Sequence, residues 1–197
     1  MDEKALIDAA RQGDAGSFNQ LVLSYQSMVY NLAYRILGDR HAASDATQEA
    51  FISAFKAIGK FRGGSFKAWL LSIVTNACYD QLRRKQRRPT ASLDALLVLD
   101  PAPVQSLTDF EESPEEYTMR QELSKVIQIG IGNLPPEQRA TLVLSDVQGF
   151  SYQEIAEVTG VSLGTVKSRL SRARGKMRDF LLEQRELLPS RYRLKNE

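Results

Sequence analysis

The sequence predicts an all-α protein: two small helical domains joined by an acidic flexible linker. Two observations point to this. Apolar residues recur at spacings of three and four through most of the chain, and no stretch alternates with period two between turn residues. Four of the seven prolines (Pro89, Pro101, Pro103, Pro114) fall in or at the edge of one segment that carries no Lys or Arg. That segment, 89–119, holds seven acids, while 1–88 holds 13 basic and 8 acidic residues and 120–197 holds 13 and 9. The net charge of +2 therefore hides a basic–acidic–basic division. Asymmetry of this kind points to a polyanion-binding protein more strongly than the total does. The expected layout is a domain at 1–89, a linker at 90–114, a second domain at 115–184 and a tail at 185–197.

Other classes are excluded quickly. No apolar run approaches the roughly 18–20 residues of a membrane span, and the polar start, Met1 to Lys4, predicts no signal peptide. One cysteine, Cys78, excludes an intramolecular disulfide and fits a reducing cytosol, so a cytoplasmic location is expected. One His (His41) and one Cys argue against a His/Cys metal site. No cofactor is expected. An enzyme would lack any nucleophile–base or metal constellation to work with.

The elements follow in order. Phe18, Leu21, Val22, Tyr25, Val29, Leu32, Ala33 and Ile36 predict a helix that stops at Gly38. A second helix spans about 41–58, with Ala50, Phe51, Ala54, Phe55 and Ile58 on its apolar side. A Gly-rich break at 59–64 follows. Ser65 can cap the next helix, whose inner stripe is Trp69, Leu70, Ile73, Ala77 and Leu82 and whose end is the basic run Arg83–Arg88. Proline suppresses regular structure in 90–114; Ala95 to Leu99 is the one apolar run there that could dock. After it a helix is expected from Glu115 to about Ile131, its end loosened by Gly130 and Gly132. Pro135–Pro136 open a helix from Glu137 to Val147. Ser151-Tyr152-Gln153-Glu154 is a capping-box pattern that starts a short helix closed by Gly160, and Ser162 can cap a long helix at about 163–184.

The stretch from Ser151 to Met177 reads as a helix-turn-helix. Ile155 and Val158 face inward, Ala156 is small where two helices cross, and Gly160 can take the positive φ of the turn. Val166, Leu170, Ala173 and Met177 form the buried stripe of the second helix. That leaves Thr165, Lys167, Ser168, Arg169, Ser171 and Arg172 on exposed faces, and six of the twelve residues from Lys167 to Arg178 are basic. A recognition helix needs this arrangement, with base edges read from its N-terminal half and phosphates met by cations. A solvated basic helix in a small bundle would look similar.

Larger motifs narrow the reading. Leu134-Pro135-Pro136-Glu137-Gln138-Arg139, Glu154-Ile155-Ala156 and Gly164 through Arg169 to Arg174 occur in one half. Asp45 to Phe51, Phe61-Arg62-Gly63-Gly64, Trp69-Leu70 and Asn76 to Asp80 occur in the other. Together, over about 17–88 and 120–180, they resemble regions 2 and 4 of bacterial RNA polymerase sigma factors of the extracytoplasmic-function type.

The resemblance implies a promoter-directing initiation factor and assigns roles. Asp45, Gln48, Glu49, Ile52 and Lys56, which share one helix face, would dock on the β′ coiled coil of core polymerase; from spacing alone a solvated polar face is an equal reading. Phe61, Arg62, Gly63, Gly64, Ser65, Phe66 and Lys67 would form a pocket for a flipped base at the −10 element. Asn76 and Asp80, i and i+4 on one helix, would meet base edges, and Arg83, Arg84 and Arg87 would track phosphate. Ser162, Thr165, Lys167, Ser168, Arg169, Ser171 and Arg172 would read the −35 element. Trp69 reads better as a core anchor. Further partners implied are the β flap, promoter DNA and a cognate anti-sigma factor. The acidic linker would thread toward the RNA path, although acids also simply keep a linker extended. A stand-alone helix-turn-helix regulator, or an adaptor whose basic helix binds an acidic partner, would leave the Asp45/Gln48/Glu49 face and the Gly-rich break without a role.

Overall fold

The computed structural model describes residues 2–87 and 113–184. The expected linker up to residue 112, with Ala95–Leu99, and the tail 185–197 lie outside the described residues. So do Arg88 and the side chain of Arg87.

Every regular element among the described residues is helical. Helix α1 (Glu3–Arg11) is capped by Asp2 and buries Leu6, Ile7 and Ala10. This helix was not expected, although Leu6, Ile7 and Ala10 fall on one face at helical spacing. Asp14 caps α2 (Ala15–Leu37) by accepting from the Gly16 and Ser17 amides, each at 3.1 Å. The Ser17 hydroxyl, donating to the same carboxylate at 2.5 Å, and then these two amides hold it below the usual range. Gly38 ends α2 in the left-handed conformation, φ 73°. Asp39 caps α3 (Arg40–Ala57), which runs into a 3-10 turn at Ile58–Lys60.

The buried stripe of α3 consists of alanines: Ala43, Ala46, Ala50 and Ala54. A seam this small lets α3 lie close against α2 and α4. Phe55 is thereby displaced from the core side expected for it: it is 46% exposed, edge-on to Phe18 at 5.0 Å. Helix α4 (Phe66–Arg87) buries Phe66, Leu70, Leu71, Val74 and Cys78, a broader band than the expected stripe, with Trp69, Ile73 and Leu82 only half-buried. The reason is that α4 packs on α2 and α3 on one side and on the second unit on another.

In the second unit Ser113 and Glu116 form a capping box that starts α5 (Pro114–Gly132). The two glycines near its end do not break it. Gly130 is a contact point: a Cβ there would lie 2.7 Å from the Phe180 ring and 2.9 Å from Met177 Cε. The helix expected over Glu137–Val147 divides into α6 (Pro136–Leu142) and a π turn, Val143–Val147, that ends at Gly149. The wider turn buries Val143 and Leu144 and leaves Asp146 exposed, where it meets Arg174. Helices α7 (Tyr152–Thr159) and α8 (Leu163–Glu183) complete the unit, with Ile155, Val158, Val166, Leu170 and Ala173 in its core. The units touch through α4 with α6 and α7, and through α2 with α5, α6 and the π turn.

Candidate nucleic-acid interface

The break between α3 and α4 builds a cavity. Gly63 and Gly64 both have positive φ, 100° and 89°, backbone that other residues adopt only with strain. Ser65 Oγ then accepts from the Ala68 amide at 3.1 Å and starts α4. The ring of Phe61 lies 5.8 Å from Phe66 and 5.2 Å from Trp69, and Tyr25 backs Phe66 at 5.5 Å. Phe61 and Trp69 of this cluster line a cavity of about 310 Å³, with Lys60, Arg62, Gly63, Gly64 and Ser72 among others around it.

The expected pocket residues separate into two groups. Arg62, Gly63, Gly64 and Ser65 line the cavity and are exposed. Phe61 is a buried floor, and Phe66, 3% exposed, belongs to the core and does not reach the cavity. The side chain of Lys67 turns away, its ammonium 4.3 Å over the ring of Phe150. Trp69 anchors the cluster and also presents a surface to the cavity, so reading it as core alone was incomplete. Ser72 and Lys60 were missed. The signal was there: Ser65, Trp69, Ser72 and Asn76 recur at spacings of four, three and four and so share one face of α4. Asp80 and Arg83 continue that face. Both are exposed and pair loosely at 3.5 Å; Asn76 and Arg84 are exposed as well. Cys78 sits on the opposite, buried side, where desolvation pushes its thiol up to about 12.

On α3, Asp45, Gln48, Glu49, Ile52 and Lys56 are all exposed. Ile52, 47% exposed, and Phe55 place an apolar patch among the polar groups.

The helix-turn-helix is built as its sequence dictates. Ser151 and Glu154 form a reciprocal capping box, and the hydrogen bond from the Ser151 amide is the main force holding the Glu154 carboxyl below its usual range. Gly160 turns the chain at φ 66°. Ser162 Oγ accepts from the Thr165 amide at 3.2 Å and lies 2.9 Å from Thr165 Oγ1, so both hydroxyls are engaged in starting α8. Lys167, Ser168, Ser171 and Arg172 are exposed, and Arg169 is half-buried. Arg174 is not free: it grips Asp146 through Nε at 3.0 Å and Nη2 at 2.6 Å. That grip holds the Asp146 carboxyl below its usual range.

A cavity at the head of one helix and a capped helix-turn-helix therefore occur in one chain. Residues 21–88 match the family model Sigma-70 region 2, and residues 130–177 match Sigma-70, region 4. The chain is 36% identical over 185 residues to the ECF RNA polymerase sigma factor SigW of Bacillus subtilis, covering 90% of this chain and 96% of that one. The chain belongs to the extracytoplasmic-function sigma factors. It is 37% identical over 177 residues to the RNA polymerase sigma-H factor of Pseudomonas aeruginosa, covering 87% of this chain and 90% of that protein. Against SigE of Mycolicibacterium smegmatis identity is 38% over 178 residues, covering 90% of this chain and 66% of the longer relative. The sigma factor RpoE of Bartonella quintana, solved with the anti-sigma factor NepR, is 27% identical with a TM-score of 0.62, covering 83% of this chain and 96% of that one. CnrH, solved with the cytosolic domain of CnrY, shares the fold at 24% identity and a TM-score of 0.65, covering 91% and 96%. As a sigma factor the protein directs promoter-specific initiation by RNA polymerase and is not an enzyme. Among the described residues no helix is long and apolar enough to cross a membrane.

Proposed function

We propose that this sigma factor works in the cytoplasm and divides promoter recognition between its two units. The exposed face of α3 (Asp45, Gln48, Glu49, Ile52, Lys56) docks on the β′ coiled coil of core polymerase, and the second unit engages the β flap. The cavity behind Gly63–Gly64 takes a base flipped from the non-template strand at the −10 element. Extruding a base costs a few kcal/mol of stacking, which a pocket with an aromatic wall can return. Asn76 and Asp80 meet neighbouring bases, and Arg83, Arg84 and Arg87 follow phosphates. Helix α8 enters the major groove at the −35 element with Lys167, Ser168, Arg169, Ser171 and Arg172, while Ser162 and Thr165 set its start. A cognate anti-sigma factor controls the protein, as the complex of the related RpoE with NepR suggests.

One observation carries this reading. The cavity, Asn76, Asp80 and Arg83 lie along a single face of α4, so a strand leaving the cavity runs over base-reading groups and then cations. The deciding experiment is in vitro transcription from a genomic fragment pool by core polymerase, with and without the protein. Specific transcripts that require the protein are expected. The variant carrying Gln48→Ala and Glu49→Ala should lose core association at unchanged helix content; normal association would defeat the docking assignment.

A further inference from the structure

Helix α1 has no part in either interface proposed above, yet both of its ends are tied to the cavity. At its start Tyr25 of α2 donates its hydroxyl to Glu3 Oε2 at 2.7 Å, across 22 residues of sequence. Tyr25 is 8% exposed. Burial first, and then the Glu3 carboxylate, push its phenol up, so it keeps the proton it donates. At its far end α1 packs on the 3-10 turn Ile58–Lys60. There the Arg11 carbonyl oxygen lies 4.0 Å from the place a Cβ on Gly59 would take. Lys60 and Phe61, the next two residues, line the cavity.

From Tyr25 a chain of rings leads inward. Tyr25 meets Phe66 edge-on at 5.5 Å, and Phe66 meets Phe61 at 5.8 Å and Trp69 at 5.4 Å. Phe61 and Trp69 lie 5.2 Å apart, tilted by 47°. Of these four rings Phe61 and Trp69 line the cavity, while Tyr25 and Phe66 stand behind them. Aromatic pairs prefer particular geometries, and a close-packed interior transmits a displacement instead of absorbing it. Without its acceptor, Tyr25 would carry a buried hydroxyl with no partner, a cost relieved by moving the ring or admitting water. Either change shifts Phe66, and with it the two rings against which a base would stack.

We infer that Glu3 and Tyr25 are positioning residues: through their hydrogen bond α1 holds the ring wall of the cavity in the arrangement that captures a −10 base. This rests on the base-capture role proposed for the cavity. Neither residue lines the cavity, so both act on a bound strand through Phe66.

The test uses holoenzyme assembled from core polymerase and the full chain. Its probe is the non-template strand of a promoter identified in the transcription pool, with each −10 base removed in turn to leave an abasic site. Parent holoenzyme should bind one abasic strand about tenfold or more weaker than the intact strand, the worth of a base stacked on an aromatic side chain. Glu3→Ala and Tyr25→Phe should each weaken binding of the intact strand at least about threefold, while binding that abasic strand as the parent does. Glu3→Gln keeps a carbonyl oxygen that can accept from the phenol, so it should behave as the parent. The double variant Glu3→Ala with Tyr25→Phe should do no more than either single one. Trp69 is the only tryptophan in the chain, so its emission from the free protein reports the wall directly. Glu3→Ala and Tyr25→Phe should shift that emission and Glu3→Gln should not. An abasic penalty as large in Glu3→Ala and Tyr25→Phe as in the parent would overturn the inference, whether neither strand is weakened or both are weakened equally. Unchanged Trp69 emission in both variants would overturn it too. If no abasic position costs the parent anything, the base-capture reading itself fails and takes the inference with it.

Discussion

Gly130→Ala and Gly132→Ala are chemically the same change two residues apart near the end of α5, and they should have opposite effects. Alanine is favoured over glycine in a helix by up to about 1 kcal/mol, and neither glycine has a positive φ that would penalise a side chain. At Gly132 a Cβ would meet nothing within 4 Å, so a gain of a few tenths of a kcal/mol is expected near the helix end. At Gly130 the added Cβ would press on the Phe180 ring at 2.7 and 2.9 Å and on Met177 Cε at 2.9 Å. The methionine can swing aside, but the ring edge must move with its side chain or α8 must shift. Overpacking of this kind costs about 1–3 kcal/mol, which cancels or exceeds the propensity gain. The two variants should differ by about 1–2 kcal/mol, which is several degrees in the melting temperature of a unit of this size. Thermal unfolding followed by circular dichroism on the full chain measures it. Equal melting temperatures, or a higher one for Gly130→Ala, would show that α5 and α8 do not meet at Gly130.

Three other outcomes are expected. Asp146, held low by Arg174, contributes stability above the usual carboxylate range that is lost as pH falls through its lowered value; Asp146→Asn should therefore be less stable than the parent at pH 6, and the difference should shrink as pH falls below the ordinary carboxylate range, in urea unfolding. Ser151→Ala removes one half of the α7 capping box and should cost about 1 kcal/mol by the same assay. Arg172→Ala should weaken −35-dependent transcription by on the order of 1–3 kcal/mol if the guanidinium meets a base, and quantitative in vitro transcription on promoters with and without the element reads it.

What could be read from the sequence was what is local. The caps at Ser65, Ser151 and Ser162, the stops at Gly38 and Gly160, and the stripe of α8 all depend on a few neighbouring residues, and the structure holds them where spacing put them. What could not be read depends on a distant neighbour. Phe55 looked like core because nothing in its own helix shows that the alanine seam would set the packing distance. Gly130 looked like a weakness because Phe180 is fifty residues away. The π turn gives no periodic signal, and Lys67 could not be seen to leave the cavity until Phe150 was placed beside it. The cavity itself was legible as a Gly-rich break before a capped helix, but its Trp69 and Ser72 wall required the face of α4 to be followed beyond the loop.

The pairing of Arg174 with Asp146 also changes what α8 brings to a duplex. A bound protein releases counterions in proportion to the cations it offers to phosphate, and the logarithm of affinity falls with the logarithm of salt by about 0.9 for each. A cation already neutralised by its own chain releases none. The recognition helix should thus show a salt slope shallower by about 0.9 than its basic run would give, and Asp146→Asn should restore it. On the proposed reading, affinity in the −35 groove then leans less on charge and more on contacts that distinguish one sequence from another.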